Sequence, residues 1–161
     1  MKKKAISTRI LWSRTFVGSW LRGRFAARWR RIDHIPDRAL LWRAIKPDSV
    51  YKKDGSIKPS FFRDRRGHYS CDIAAFSTPE QSRRGYADPP AWNPDEAGLV
   101  EFTAGDVRHC SSNGGPDVEH APVQTQRVVN YSHAQFSREL SSAEEEMMAK
   151  ERARIVIKPR M

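Results

Sequence analysis

The chain has 161 residues, with 29 Lys or Arg against 19 Asp or Glu, a net charge of +10 and a pI near 10.1. That length leaves room for one domain, and 39 % hydrophobic residues predict a small core with generous loops. No run of 18 apolar residues occurs, which excludes a membrane-spanning helix, and Arg9 and Arg14 interrupt the stretch where a secretory signal would be apolar, so a cytoplasmic setting is expected.

The charge is uneven. Residues 1–31 carry ten Lys or Arg and no acid, and removing those ten leaves 19 basic and 19 acidic residues in a neutral remainder. The inference from high pI to nucleic acid is thus confined to a basic arm, placed at residues 1–37, ahead of one domain at 38–161. Trp12, Phe16, Trp20, Phe25 and Trp29 are interleaved with the arginines. On a helical wheel Arg14, Arg24 and Arg28 fall among Val17, Leu21, Phe25 and Trp29, so the faces segregate poorly. Such an arm suits nucleic acid, with Arg22, Arg24, Arg28, Arg30 and Arg31 neutralising phosphates and Trp20 and Trp29 stacking on bases. An anionic membrane surface, a transit peptide and an extension without function are the alternatives. The arm has too little apolar content to bury a core alone and is expected to be disordered in isolation.

Arg38–Ile45 predicts a first strand, bounded by Pro36 and Pro47. Asp54-Gly55 predicts a turn within Tyr51–Ile57, followed by an extended Lys58–Phe62, a charged turn at Arg63–Gly67 and a strand at Tyr69–Ala74. Thr78, Pro79 and Gln81 start a short helix by a capping box, and Gly85 ends it. Ala87–Gly98 reads as a loop, Leu99–Thr103 as a strand and Ser111–Pro116 as a turn. Val118–His120 and Val123–Val129 read as strands, and His133–Ser137 either continues that sheet or starts the next element. Ser142–Arg154 predicts a helix capped by Ser142 with Glu145 completing its box, and Ile155–Lys158 an edge strand. The sum is an α+β fold, a small mostly antiparallel sheet with one or two helices.

Several stretches resemble a group of small uncharacterised bacterial proteins: Leu41-Trp42-Arg43-x-Ile45-x-Pro47-Asp48-x-Val50, Lys58-Pro59-Ser60 with Arg63-Asp64, Ser70-x-Asp72-Ile73-Ala74, Thr78-Pro79-Glu80 and Phe102-Thr103-Ala104-Gly105. Val118–Pro122 and Asn130-x-x-His133-Ala134 fit more loosely, and Asp88–Pro94 reads as an insertion. The resemblance covers residues 40–137. It implies a bacterial cytosolic setting and an independent domain, and brings no activity.

Cys71 and Cys110, far apart in sequence and without a CxxC, exclude a zinc ribbon or redox motif and read as free buried thiols. His109, His120 and His133 have no metal-ligand spacing, so no metal and no cofactor is expected. A Cys-His nucleophile would need Cys71 or Cys110 to meet His120 or His133. A sharper arrangement joins Arg43, Ser60 and Glu101, which resembles the layout of ADP-ribosyl-transferring folds: Arg43 would hold a cofactor phosphate and Glu101 a ribose hydroxyl. The competing role for Arg43 is a surface arginine pairing with Asp48 or Asp72. Glu144, Glu145 and Glu146 read as a solvated helix start. The sequence therefore favours a non-enzymatic intracellular binding or accessory module whose arm contacts nucleic acid. The alternative is a small ADP-ribosyl-transferase-like enzyme using a nicotinamide dinucleotide, with Arg43, Ser60, Glu101 and His133 as catalytic candidates.

Overall fold

In the computed structural model, residues 31–46, 56–63, 69–86, 89–90, 92–125 and 128–160 are described, all within the unit Arg31–Met161. They form the expected α+β architecture. Strands β1 (Leu40–Ile45), β2 (Ser70–Ile73), β3 (Gly98–Thr103), β4 (Val118–His120), β5 (Val123–Gln124), β6 (Val129–Asn130), β7 (His133–Phe136) and β8 (Arg154–Ile157) alternate with three short helices, α1 (Pro79–Arg84), α2 (Ala104–Arg108) and α3 (Ser142–Met147). Six strands make one antiparallel sheet in the order β4-β7-β2-β1-β3-β8, and β5 and β6 pair separately. The Asp54-Gly55 turn, residues 64–68 and arm residues 1–30 lie outside the described residues.

Strand alternation sorts the sheet into two faces. Leu41 of β1, with Phe102, Cys71, Ile73, Ala134 and Phe136, is buried in the main core. Aromatic rings dominate that core: Tyr69 stacks on Phe136 at 4.6 Å and on Phe62 at 5.5 Å, and Phe102 meets Phe62 edge-on. Met148 and Ala149 close over them. The other face carries a polar row across five strands, His133–Asp72–Trp42–Glu101–Arg154, set by the register Asp72↔His133, Trp42↔Asp72, Trp42↔Glu101 and Glu101↔Arg154. Helix α1 packs on this face against β1 and β3.

Three local expectations are corrected, and one helix appears where the sequence predicted none. Lys58–Phe62 is not extended; Pro59–Phe62 is a 3-10 turn, which lets the consecutive residues Phe61 and Phe62 both enter the core, as neighbours on a strand cannot. Val123–Val129 is not one strand. Thr125 N–H donates to Val128 O (2.7 Å) and Val128 N–H to Thr125 Oγ1 (2.9 Å), so that β5 and β6 pair antiparallel. Thr103 and Asp106 form a capping box that starts α2 directly after β3, where an aspartate takes the place usually held by Glu or Gln. The last helix is capped by Ser141 and boxed by Glu144, one residue early, and passes into a π-helical turn at Met148–Arg152. The α1 capping box and the left-handed Gly85 stand as expected.

Glu144 and Glu145 are buried, not solvated. Arg138 grips Glu144 through two bonds (2.8 and 2.9 Å), and Arg63 grips Glu145 likewise. Arg138 is the main cause that holds the Glu144 carboxyl at about 2 against an ordinary 4.5. A depressed carboxyl stabilises the fold above its unfolded value and loses that contribution as pH falls through its folded one. Arg138→Ala is therefore expected to cost about 1.5–3 kcal/mol in urea denaturation at neutral pH, a difference that fades as pH falls from about 4.5 towards 2.

Candidate functional site

The site grows from Asp72 on β2. Ile73 N–H donates to Ser132 O (2.8 Å) and Phe136 N–H to Tyr69 O (3.0 Å), so the intervening Asp72↔His133 pair is of the non-hydrogen-bonded kind, whose side chains stand closest. Asp72 is only 8 % exposed. Asn130 Nδ2 donates to its Oδ1 (2.7 Å), Ser132 Oγ lies 3.3 Å from the same oxygen, and Ser82 of α1 is a further donor. From Ser82 a line of hydroxyls continues: Ser82 Oγ to Ser77 Oγ (2.7 Å), Ser77 to Tyr86 Oη (2.6 Å), Tyr86 to Ser132 Oγ (2.8 Å). Each hydroxyl has one proton, and turned the same way they form a relay Ser132→Tyr86→Ser77→Ser82→Asp72 that ends on the carboxylate. Burial raises the Asp72 carboxyl, opposed chiefly by the Asn130 hydrogen bond.

Beside this network lies a cleft of about 270 Å3, lined among others by Arg43, Lys46, Tyr86, Trp92, Asn130 and His133. It opens where the β1–β2 ladder ends at Trp42↔Asp72. Arg43, the next residue of β1, lays its guanidinium over the Tyr69 ring (3.8 Å) and donates from Nη1 to Ser70 O (2.8 Å). The lip is built after α1. Gly85 (φ 69°) makes the turn, Tyr86 follows with φ 57°, and the Trp92 ring packs so close that a Cβ at Gly85 would meet Cη2 at 2.7 Å. A non-glycine residue with that φ costs on the order of 1–3 kcal/mol, a strain typical of functional sites, and here Tyr86 is pinned by its two hydroxyl contacts. Trp92 Nε1 donates to Arg83 O (2.6 Å), and Lys46 Nζ sits 4.6 Å from the Trp92 ring centre. On the far wall, burial lowers the His133 imidazole, and its Nδ1 lies 2.6 Å from Ala121 O.

Of the residues singled out from the sequence, Arg43 and His133 line the cleft; Ser60 and Glu101 do not. Ser60 is exposed on the 3-10 turn. Arg43 pairs with Val100 and Glu101 with Trp42, so Arg43 and Glu101 project to opposite faces. The Glu101 carboxylate is occupied by Trp42 Nε1–H (2.9 Å) and by Arg154. Cys71 lies on the core face, turned from His133, with Sγ 3.7 Å from Ala134 O, and burial raises both thiols, Cys110 to about 11. His120 is spent structurally: Nδ1 accepts from Ile32 N–H (2.9 Å) and Nε2 donates to Tyr131 O (2.6 Å). With Ile35 in the core and Asp37 paired to Arg108, it ties residues 32–37 to the body. Arg31 is exposed, and Trp20, Arg22, Arg24, Arg28, Trp29 and Arg30 lie outside the described residues. Among the described residues no three of His, Cys, Asp and Glu are grouped to hold a metal ion, and no helix is long and apolar enough to cross a membrane.

Sequence reasoning missed Asp72, Asn130, Ser132, Ser77, Ser82, Tyr86, Lys46 and Trp92. One signal was available: Ser70-Cys71-Asp72-Ile73 alternates, and an aspartate on a strand flanked by cysteine and isoleucine must find donors. No family model matches the chain, and no curated protein or solved structure matches it.

Because the folded state binds the Asp72 proton more tightly than the unfolded chain does, acidification from neutral towards the ordinary carboxyl value of 3.8 stabilises the fold through this group. Asp72→Asn removes that gain. Chemical denaturation at about pH 7 and pH 4 is expected to show the variant losing more stability on acidification than the wild type; parallel losses would contradict the assignment.

Proposed function

We propose that the protein is a non-enzymatic binding module for single-stranded nucleic acid, in which the basic arm draws in the phosphate backbone and the cleft holds one phosphate group. The observation that carries this reading is the charge balance of the cleft. Arg63, Arg108, Arg138 and Arg154 each meet a carboxylate, whereas Arg43 and Lys46 meet none among the described residues. Asp72, the acid among the described lining residues, is engaged by Asn130 and the hydroxyls. A half-buried guanidinium that meets no carboxylate among the described residues calls for an anion, and its fork matches phosphate. The Tyr69 ring beneath it fixes the plane of the fork.

The arm turns a phosphate site into a strand site. Ten cations and five interleaved aromatic residues within the first 31 positions suit sequence-tolerant contact with a polyanion. The resemblance to small bacterial proteins supports a cytoplasmic setting. The alternative, ADP-ribosyl transfer through Arg43, Ser60 and Glu101, gains no support from a shared cleft.

Anisotropy of a labelled single strand of about 15 nucleotides, titrated with the full chain across salt concentrations, tests the reading. Arg43→Ala with Lys46→Ala is expected to weaken binding and to reduce the slope of log K against log salt by about 0.7 for each phosphate no longer neutralised. Replacing Arg22, Arg24, Arg28, Arg30 and Arg31 with Ala should reduce the slope further. Unchanged affinity and slope in both variants would refute the proposal.

A further inference from the structure

The cleft offers more than positive charge. Ala121 O can only accept, so the 2.6 Å contact fixes the His133 proton on Nδ1 and leaves the Nε2 lone pair as the open position of the ring. Among the described residues no donor meets that nitrogen. A ligand filling the cleft must therefore bring two things: acceptor oxygens for Arg43 and Lys46, and a hydrogen-bond donor for His133. A ribose 3′-phosphate carries both on adjacent ring carbons, the phosphate and the 2′-hydroxyl, whereas deoxyribose lacks the donor.

We infer that the strand bound in the cleft is RNA, selected over DNA by a hydrogen bond from a ribose 2′-hydroxyl to His133 Nε2. This rests on the nucleic-acid reading above and names the sugar that it takes. The ring is suited to the role because it is held neutral. Burial is the main cause, with Arg43 on β1 and His120 on β4 acting in the same direction and Asp72 on β2 and the Ala121 carbonyl against them. Were the ring protonated, Nε2 would donate, and the hydroxyl would lose its acceptor.

The test uses the full chain and three labelled single strands of one sequence: RNA, 2′-O-methyl RNA, and DNA with deoxyuridine for thymidine. RNA is expected to bind about two- to tenfold tighter than either analogue, the range of one hydrogen bond. His133→Phe, which keeps a planar ring without an acceptor, should bind RNA and DNA with equal affinity. Acidification through the imidazole titration should abolish the preference while tightening both strands. Equal affinity for RNA and DNA in the wild type would overturn sugar recognition and leave the nucleic-acid reading standing. A preference over DNA that survives 2′-O-methylation would trace to sugar pucker and strand shape rather than to a donated hydroxyl proton and likewise overturn it; this comparison needs no protein variant. Binding of no strand would remove both readings.

Discussion

A carboxylate under a helix at the middle of a sheet face is expensive, and the way Asp72 is satisfied shapes everything near it. Asn130 on β6 and Ser82 on α1 donate to it, and Ser132, just before β7, stands against the same oxygen. One side chain thus fastens the covering helix and the β5–β6 excursion to the central strands. The hydroxyl line through Ser77 then fixes Tyr86 in a backbone conformation that a non-glycine residue does not hold unaided. The lip of the cleft is an outcome of that network.

Asp72, engaged by neutral donors, and Arg43, which projects from β1 to the opposite face of the sheet, do not pair although both line the same hollow. Arg43 is left stacked on the Tyr69 ring, part of the aromatic core, and held by one carbonyl. Arg43 and His133 then line one hollow, the first braced on Tyr69 and Ser70 and the second on Ala121. The second hollow, of about 400 Å3 beside the start of α3, is different: its Glu145 is already gripped by Arg63, so its charges serve stability. The two hollows differ in chemistry more than in size.

Much of the fold was legible because local chemistry determined it. Pro36 and Pro47 framed β1, the Thr78–Gln81 box and Gly85 framed α1, and alternation marked β2. The failures share one cause. Whether Phe61 and Phe62 both turn inward, and whether Glu144 and Glu145 are solvated, depends on partners distant in sequence, such as Arg63 for Glu145. The site was legible only in fragments, since Arg43 and His133 were singled out for a different chemistry while the Asp72 network was passed over. Its members span residues 72 to 132 and share no spacing; only the order β7-β2-β1 brings them together. Glu101, which looked equally promising, lies further along the row that begins at His133, outside the cleft, with its carboxylate occupied by Trp42 and Arg154.

The account stands on an anion meeting Arg43 and Lys46 beside His133. Heteronuclear NMR of the full chain, following the Arg43 Nε–H, Lys46 Nζ and His133 ring signals during addition of single-stranded RNA, looks at those atoms directly. The account predicts that all three move together and saturate with binding. Saturable binding that leaves those signals in place while shifting others would contradict it.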